Sequence, residues 1–306
     1  MKSEPFMIKV PGSTANLGPG FDSIGLAVNR YLTLEVRRAN EWKFMATSDH
    51  LKGLPEGENN LICKVAKRVA ETLNKKLPPC EVTMASEIPL ARGLGSSASA
   101  IVAGIELANQ LLGEPLTTEE KVRLASLWEG HPDNVAASIY GGLIIGTHTE
   151  ERTTVLPSGV PNIDLVFLVP TVELKTKQSR EVLPESLPYA DAIKGSGIAN
   201  VLVAAMLQGN WEVAGKMMSE DLFHHPYRGK LVPYLSDVIE TANEETEAYG
   251  AALSGAGPTI LCIAPPGRGP SVKRVFERKF PELQVDVLKP SKEGIVVHKG
   301  YEAAIV

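Results

Sequence analysis

Glu87-Ile88-Pro89-Leu90-Ala91-Arg92-Gly93-Leu94-Gly95-Ser96-Ser97-Ala98-Ser99 is the stretch on which the fold turns. It follows an apolar β-like run near residues 81–85. It leads straight into a small-residue helix predicted over residues 96–112, which Gly113 and Pro115 end. Glycine lets backbone approach a ligand with no Cβ in the way. Three nearby hydroxyls can donate hydrogen bonds, and the helix turns its free N–H groups and positive dipole end toward the loop. Together these make an anion site suited to phosphate. Gly93-Leu94-Gly95-Ser96-Ser97-Ala98 also fits the G-x-G-x-x-G/A pattern of dinucleotide folds. That version joins the first strand directly to its helix, whereas here residues 89–92 intervene and several elements precede the loop. No Gly-Lys-Ser/Thr follows the glycines, and neither His-Arg-Asp nor Asp-Phe-Gly occurs, so a Walker A loop and a protein-kinase fold are excluded. A bland Gly/Ser connector is the structural alternative.

Working outward, strands are predicted over residues 6–10, 31–37 and 42–45. A helix is predicted over 61–74, because Leu61, Ile62, Val65, Ala66, Val69, Ala70 and Leu73 fall on one face. Thr117-Thr118-Glu119-Glu120 reads as a capping box opening a helix to about residue 128. Gly141-Gly142 introduces a strand over 143–147. Leu156-Pro157-Ser158-Gly159-Val160-Pro161-Asn162 is the strongest linker signal. Beyond it come a strand over 164–169, helices near 193–208, 211–218, 233–248 and 274–279, two strands around 254–258 and a strand over 283–288. The expected architecture is α+β in two domains, residues 1–157 and 158–306.

Three further segments carry chemistry. Val10-Pro11-Gly12-Ser13-Thr14-Ala15-Asn16-Leu17-Gly18-Pro19-Gly20-Phe21-Asp22 directly follows a strand, and Asn16 and Asp22 could grip an amine or hydroxyl. Turn chemistry explains them equally well. Glu129-Gly130-His131-Pro132-Asp133-Asn134 gathers four polar groups in six residues. Glu129 could hold Mg²⁺ and Asp133 could accept a proton, or Asp133 and Asn134 could merely cap a helix over 135–140. Leu253-Ser254-Gly255-Ala256-Gly257-Pro258-Thr259 lies between two strands and by itself reads as a Gly-rich hairpin.

Composition bounds the function. The 306 residues are 43% hydrophobic and 22% charged, enough apolar content for a sizeable core. The formal charge of −5 argues against a nucleic-acid coat or membrane-surface protein, since both need a broad basic face. No uninterrupted apolar run approaches the roughly 18 residues that span a bilayer. The N-terminus lacks a signal-peptide core. Cys63, Cys80 and Cys262 are odd in number and set among apolar neighbours, which fits reduced core thiols and a cytoplasmic protein.

Taken together, these segments resemble the GHMP kinase superfamily of small-molecule ATP kinases. Residues 89–99 match its phosphate loop, Pro-x₃-Gly-Leu-Gly-Ser-Ser, residues 10–22 its N-terminal motif and residues 253–259 its C-terminal Gly-rich motif, in family order. The wording of residues 14–22, with His131-Pro132-Asp133-Asn134, is similar to the branch of the superfamily that phosphorylates homoserine. The resemblance implies an N-terminal ribosomal-S5-like domain and a C-terminal ferredoxin-like domain with ATP and substrate between them. It implies transfer of the ATP γ-phosphate to the L-homoserine hydroxyl, a step of threonine biosynthesis. On that basis Pro89, Leu90, Ala91, Arg92, Gly93, Leu94, Gly95, Ser96, Ser97, Ala98 and Ser99 would wrap the ATP phosphates, with Asn60 near adenine. Ser97 and Glu129 would hold Mg²⁺. Asn16, Asp22, His131, Asn134, Arg180 and Arg228 would line the homoserine pocket. Asn134 would orient the hydroxyl, and Asp133 is the other candidate if a base is needed. Here Gly130 alone separates Glu129 from His131, where many relatives have a longer stretch. A homodimer is expected. The alternatives are a mevalonate-type or sugar kinase of the same superfamily and, from another class, a catalytically silent ligand sensor. The first would not need two arginines and Asp22. The second would be expected to lose Ser96, Ser97, Ser99 or Glu129, all of which are present.

Overall fold

Strands and helices alternate in an order that builds two sheets. The computed structural model describes residues 4–300. Its first half runs β1 (Phe6–Ala15), β2 (Ile24–Arg38), β3 (Lys43–Ala46), α1 (Leu61–Thr72), β4 (Cys80–Ser86), α2 (Ser96–Leu111), α3 (Thr118–Glu129), α4 (Asp133–Tyr140), β5 (Leu143–His148) and β6 (Thr153–Pro157). The second half runs β7 (Asp164–Val169), α5 (Thr176–Glu181), α6 (Tyr189–Leu207), α7 (Trp211–Ser219), α8 (His225–Arg228), α9 (Leu235–Glu245), β8 (Gly250–Leu253), β9 (Ile260–Ala264), α10 (Gly269–Lys279), β10 (Gln284–Leu288) and β11 (Val296–Lys299).

Local chemistry sets the helix ends. Asn60 caps α1 by accepting from the Ile62 N–H at 3.0 Å. The capping box of α3 forms as read: the Glu120 N–H donates to Thr117 Oγ1 at 3.2 Å and the Thr117 N–H donates to Glu120 Oε2 at 2.8 Å. Gly130, at φ 90°, ends α3.

The larger sheet has the order β11-β1-β2-β4-β3, with β5 beside β2 and β6 on β5. The smaller is β10-β7-β9-β8, antiparallel throughout. β7 is buried along its whole length. Because successive strand residues face opposite ways, Leu165, Phe167 and Val169 enter the core that also holds Ile8, Leu34, Val82 and Ile101. Val166 and Leu168 enter a second core with Val238 and Phe276. The two sheets therefore share one of their cores.

Several expectations change. The linker over 156–162 begins inside β6, and β11 returns from the chain's end to pair with β1, so the last strand crosses the expected boundary at 157/158. β1 extends through Ala15 and β2 begins at Ile24, because their pairing continues past a register shift at Pro11/Gly12. α5, α8 and β11, of six, four and four residues, lay below the reach of periodicity. α6 starts at Tyr189 and has 19 residues of mean hydropathy 1.3, long and apolar enough to cross a membrane by those measures. Asp191 and Lys194 break its apolar run in sequence. In the fold it buries Gly195, Ile198, Leu202, Ala205 and Met206 and packs on α7. Cys63, Cys80 and Cys262 are free and buried, and burial pushes the Cys63 and Cys80 thiols up to about 11.

One close approach positions α4. A Cβ on Gly25 of β2 would stand 2.0 Å from the carbonyl oxygen of Asp133. Gly25→Ala is expected to force α4 off β2 and destabilise the protein by about 1–3 kcal/mol, the usual range for overpacking, as read by urea unfolding.

Candidate active site

The helix of residue 96 starts where it does because Gly95, at φ 73°, supplies the left-handed turn before it. The glycines also answer a packing demand that sequence does not show. A Cβ on Gly95 would meet Ser13 Oγ at 2.3 Å and Ser13 N at 2.8 Å, and one on Gly93 would meet the Ser254 carbonyl at 2.3 Å. They admit the end of β1 and the loop over 254–257, as well as leaving backbone open to a ligand. Ser97 is exposed at the start of α2 and Ser96 is half-buried. Ser99 is buried, and its hydroxyl donates back to the Ser96 carbonyl at 3.0 Å.

This loop forms one wall of a cavity of ≈ 460 Å³ between the two sheets. Leu90, Ala91, Arg92, Gly93 and residues 95–99 line it, while Pro89 and the buried Leu94 do not. Leu51, Leu54, Ile62 and Met84 give it an apolar end, where Asn60 also sits. The Asn60 amide is committed to the fold: besides capping α1, its Nδ2 donates to the Pro55 carbonyl at 2.9 Å.

The polar end gathers the other predicted residues. Asn16, Asp22, Glu129, His131, Asp133, Asn134, Arg180 and Arg228 all line the same cavity. Asn16, Leu17 and Asp22 hold φ of 72°, 50° and 55°, and Ala91 holds 51°. For a non-glycine residue such backbone costs of order 1–2 kcal/mol, and it persists where the surroundings over-determine it. Here Asn16 does so: its Nδ2 donates to the Gly255 carbonyl at 2.9 Å and its Oδ1 accepts from the Asp22 N–H at 3.0 Å.

Asp133 is fully buried, and its Oδ1 accepts from His131 Nδ1 at 2.5 Å, the Asn134 N–H at 2.7 Å and Asn134 Nδ2 at 3.2 Å. Burial opposes its ionisation, but His131 and these hydrogen bonds hold its carboxyl below the usual range. Burial likewise opposes charge on His131, yet the charge and hydrogen bond of Asp133, with Asp22 and Glu129 behind them, outweigh it and push the imidazole up to about 9. Ser13 Oγ donates to Asn134 Oδ1 at 3.0 Å, so the Asn134 amide is oriented from both ends. Among the described residues no hydrogen bond or ion pair engages the Glu129 carboxylate, and burial raises its pKa.

Arg180 forks Asp22, with Nη2 to Oδ1 at 2.7 Å and Nη1 to Oδ2 at 3.1 Å. Arg228 is 1% exposed. Its Nε donates to the Ser179 carbonyl at 3.0 Å and its Nη1 to the Gly255 carbonyl at 3.2 Å.

Sequence reading missed the supports of these groups. Phe21 has the Arg180 and Arg228 guanidinium carbons 5.6 and 5.0 Å from its ring centre. Thr14 Oγ1 meets Ser254 Oγ at 2.8 Å, and Ser254 Oγ also reaches the Gly93 carbonyl at 2.6 Å. The signal lay in Ser13-Thr14 and Ser254 within the quoted motifs, but which loops they join depends on tertiary contact.

The GHMP kinases N terminal domain matches residues 60–142, and the GHMP kinases C terminal domain matches residues 202–282. Over 295 residues the chain is 63% identical to a homoserine kinase of Halalkalibacterium halodurans, covering 96% of each. It is 54% identical to one of Shouchella clausii, covering 95% of this chain and 98% of that one. The fold superposes on the homoserine kinase of Cytophaga hutchinsonii with a TM-score of 0.84 at 29% identity, over 96% of this chain and 98% of the other.

The His131–Asp133 pair makes stability pH-dependent. The folded-state pKa of His131 lies above its ordinary 6.5, at about 9. Its contribution is therefore complete below pH 6.5 and is lost as pH rises through about 9. The melting temperature is expected to fall across that window, and His131→Gln to flatten the fall in a differential scanning fluorimetry series.

Proposed function

Because the chain belongs to the homoserine kinase family of the GHMP kinases, we propose that its cavity seats the ATP phosphates along residues 89–99 and homoserine against residues 16–22, 131–134, Arg180 and Arg228. The reaction is transfer of the ATP γ-phosphate to homoserine, giving O-phosphohomoserine and ADP. The observation that carries the residue assignment is the convergence of Asp22, His131, Asn134, Arg180 and Arg228 on the cavity that the phosphate loop walls.

In this reading Ser96, Ser97 and the backbone N–H groups at the start of α2 hold the phosphates, and the apolar end near Leu51 and Ile62 takes the adenine. Asn60 then meets adenine only through capacity left over from its cap. Glu129 and Ser97 suit Mg²⁺, since both offer oxygen. Among the described residues the Glu129 carboxylate has no hydrogen bond or close ion pair, burial raises its pKa, and a cation would relieve it. Bound there, Mg²⁺ would supply charge neutralisation for the phosphates.

Phosphoryl transfer through a loose transition state needs mainly in-line positioning and charge stabilisation. Asn134, fixed by Ser13 and Asp133, orients the homoserine hydroxyl. Asp133 acts through its neighbours: a buried carboxylate with three donors and a lowered pKa is a weak base. His131 adds a positive charge beside the reacting phosphate. Arg180 and Arg228 take the substrate carboxylate, and Asp22 takes the ammonium. A mevalonate-type substrate, which has no ammonium, would leave Asp22 without a role. A homodimer and a cytoplasmic location belong to the same reading. Sedimentation at micromolar protein tests the first, and the exposed apolar Tyr189, Ile193, Val201 and Leu207 of α6 are the surface a second copy would cover.

An ADP-release assay across homoserine, threonine, mevalonate and galactose is expected to show turnover dominated by homoserine, abolished by EDTA and restored by Mg²⁺. Equal use of mevalonate, or robust turnover after removal of divalent metal, would overturn the assignment. Arg180→Met and Arg228→Met are each expected to lower homoserine kcat/KM by roughly ten- to a hundredfold, the loss of a charge-assisted pair, with ATP KM within about twofold. Arg228→Met should also lower Tm, because it strips the Ser179 and Gly255 carbonyls of a buried donor.

A further inference from the structure

Asp22 and Arg180 meet in the cavity from opposite halves of the chain, in a two-pronged pair at 2.7 and 3.1 Å. Both side chains remain partly open, Arg180 at 38% and Asp22 at 34% exposure. On the subsite assignment above, these are the groups meant for the substrate's carboxylate and ammonium. In the substrate-free protein each is therefore occupied by the other. Resting on that assignment, we infer that homoserine enters by ion-pair exchange and that the Asp22–Arg180 pair is a selectivity device for zwitterions. The substrate ammonium replaces the guanidinium at Asp22, and the substrate carboxylate replaces the Asp22 carboxylate at Arg180.

Exchange with a zwitterion conserves charge pairing: one ion pair opens and two form. An alcohol carrying only one of the two charges opens the same pair and strands one member. The surroundings penalise either stranded group. Ligand atoms of Asp22, His131 and Asp133 lie within 4.8 Å of one another, and the His131 charge is already met by Asp133 at 2.5 Å, so an Asp22 carboxylate without Arg180 leaves two carboxylates sharing one imidazolium. An unpaired Arg180 stands over the same Phe21 ring as the buried Arg228 guanidinium. Rejection of the wrong alcohol then comes from a penalty on the protein's own charges as well as from the missing contact.

The geometry confines the exchange to side chains. The Asp22 N–H is held by Asn16 Oδ1. α5, which carries Arg180, is pinned by Ser179, whose Oγ donates to the Ala256 carbonyl at 2.7 Å and whose own carbonyl accepts from Arg228 Nε at 3.0 Å. A partly exposed ion pair is weak in water, so opening it presents little barrier to the correct substrate.

The test uses reciprocal gains. kcat/KM is measured for homoserine, for 4-hydroxybutanoate (no ammonium) and for 3-aminopropan-1-ol (no carboxylate) with the unaltered protein, Asp22→Asn and Arg180→Gln. Asparagine tolerates the left-handed backbone at position 22, and an unchanged ATP KM reports an intact nucleotide site in both variants. Both variants are expected to lose roughly tenfold or more on homoserine. Asp22→Asn should gain roughly threefold or more on 4-hydroxybutanoate, because Arg180 is set free without stranding a carboxylate. Arg180→Gln should gain similarly on 3-aminopropan-1-ol, because Asp22 is set free. A fall on homoserine with no gain on either single-charge alcohol overturns the exchange and leaves the subsite assignment standing. Unchanged homoserine kcat/KM in both variants overturns the assignment and the exchange together.

Discussion

The end of β1 holds together three segments that are distant in sequence, two loops and the start of α4. The Ser13 N–H donates to the Leu94 carbonyl at 3.2 Å, and Ser13 Oγ donates to Asn134 Oδ1 at 3.0 Å. Thr14 Oγ1 meets Ser254 Oγ at 2.8 Å, and the Ala15 carbonyl accepts from the Gly255 N–H at 3.0 Å. Each contact needs a small residue on one side and a hydroxyl or backbone group on the other. That is why the strand ends in Ser13-Thr14-Ala15 and why Gly95 faces it, while Gly93 faces the 254–257 loop. Without this knot the 89–99 loop, the Asn134 amide and the 254–257 loop would have no common frame, and the cavity would lose its polar end.

Charge in the site is balanced by burial as much as by pairing. His131 keeps its proton because Asp133 lies 2.5 Å away. His224, fully buried behind Phe21, is pushed the other way: burial, then the neighbouring His225, takes its pKa down to about 3. It is thus neutral, donating from Nε2 to the Gly18 carbonyl at 3.0 Å, with its Nδ1 3.4 Å from Arg228 Nη1. Asp221 accepts the N–H groups of Phe223, His224 and His225 and so caps the short α8. Burial, with Arg180 next, lowers the Arg228 pKa to about 10, which still leaves it charged near neutrality. A protonated His224 beneath Arg228 would oppose that charge, and the fold prevents it by desolvation.

How much of this was legible in sequence follows from the range of each signal. Helices α1, α2 and α3 and strand β7 carry their pattern within 16 residues or fewer, and their limits were read to within two residues of those found. The Gly-rich loops were legible as loops, and their company implied the family. The Asp22–Arg180 and Ser13–Asn134 contacts join residues 158 and 121 positions apart. No local pattern encodes such a distance. α5 and α8 were invisible as helices because six and four residues complete barely a turn or two, yet they carry Arg180 and Arg228. The glycine reading left out a reason: Gly93 and Gly95 make room for the protein itself.

The shared core explains why selectivity falls to side chains. A hinge over residues 158–162 would let two independent domains close on a substrate, but this chain crosses the junction again when β11 returns to β1. β7 also feeds Leu165, Phe167 and Val169 into the core of the larger sheet. Opening the halves would expose apolar surface worth about 25 cal/mol for each Å² and would unpair a strand. The rigid parts of the site, Ser13, Asn134 and the start of α2, are built on that joined body. In the exchange proposed above, the charge that changes partners is that of Asp22 and Arg180, which are partly exposed and lie on a loop and a six-residue helix. On the proposed seating of ATP and homoserine, a frame fixed in this way would present the phosphate and the hydroxyl at a constant angle. Discrimination between small alcohols would then reside in which charges can change partners.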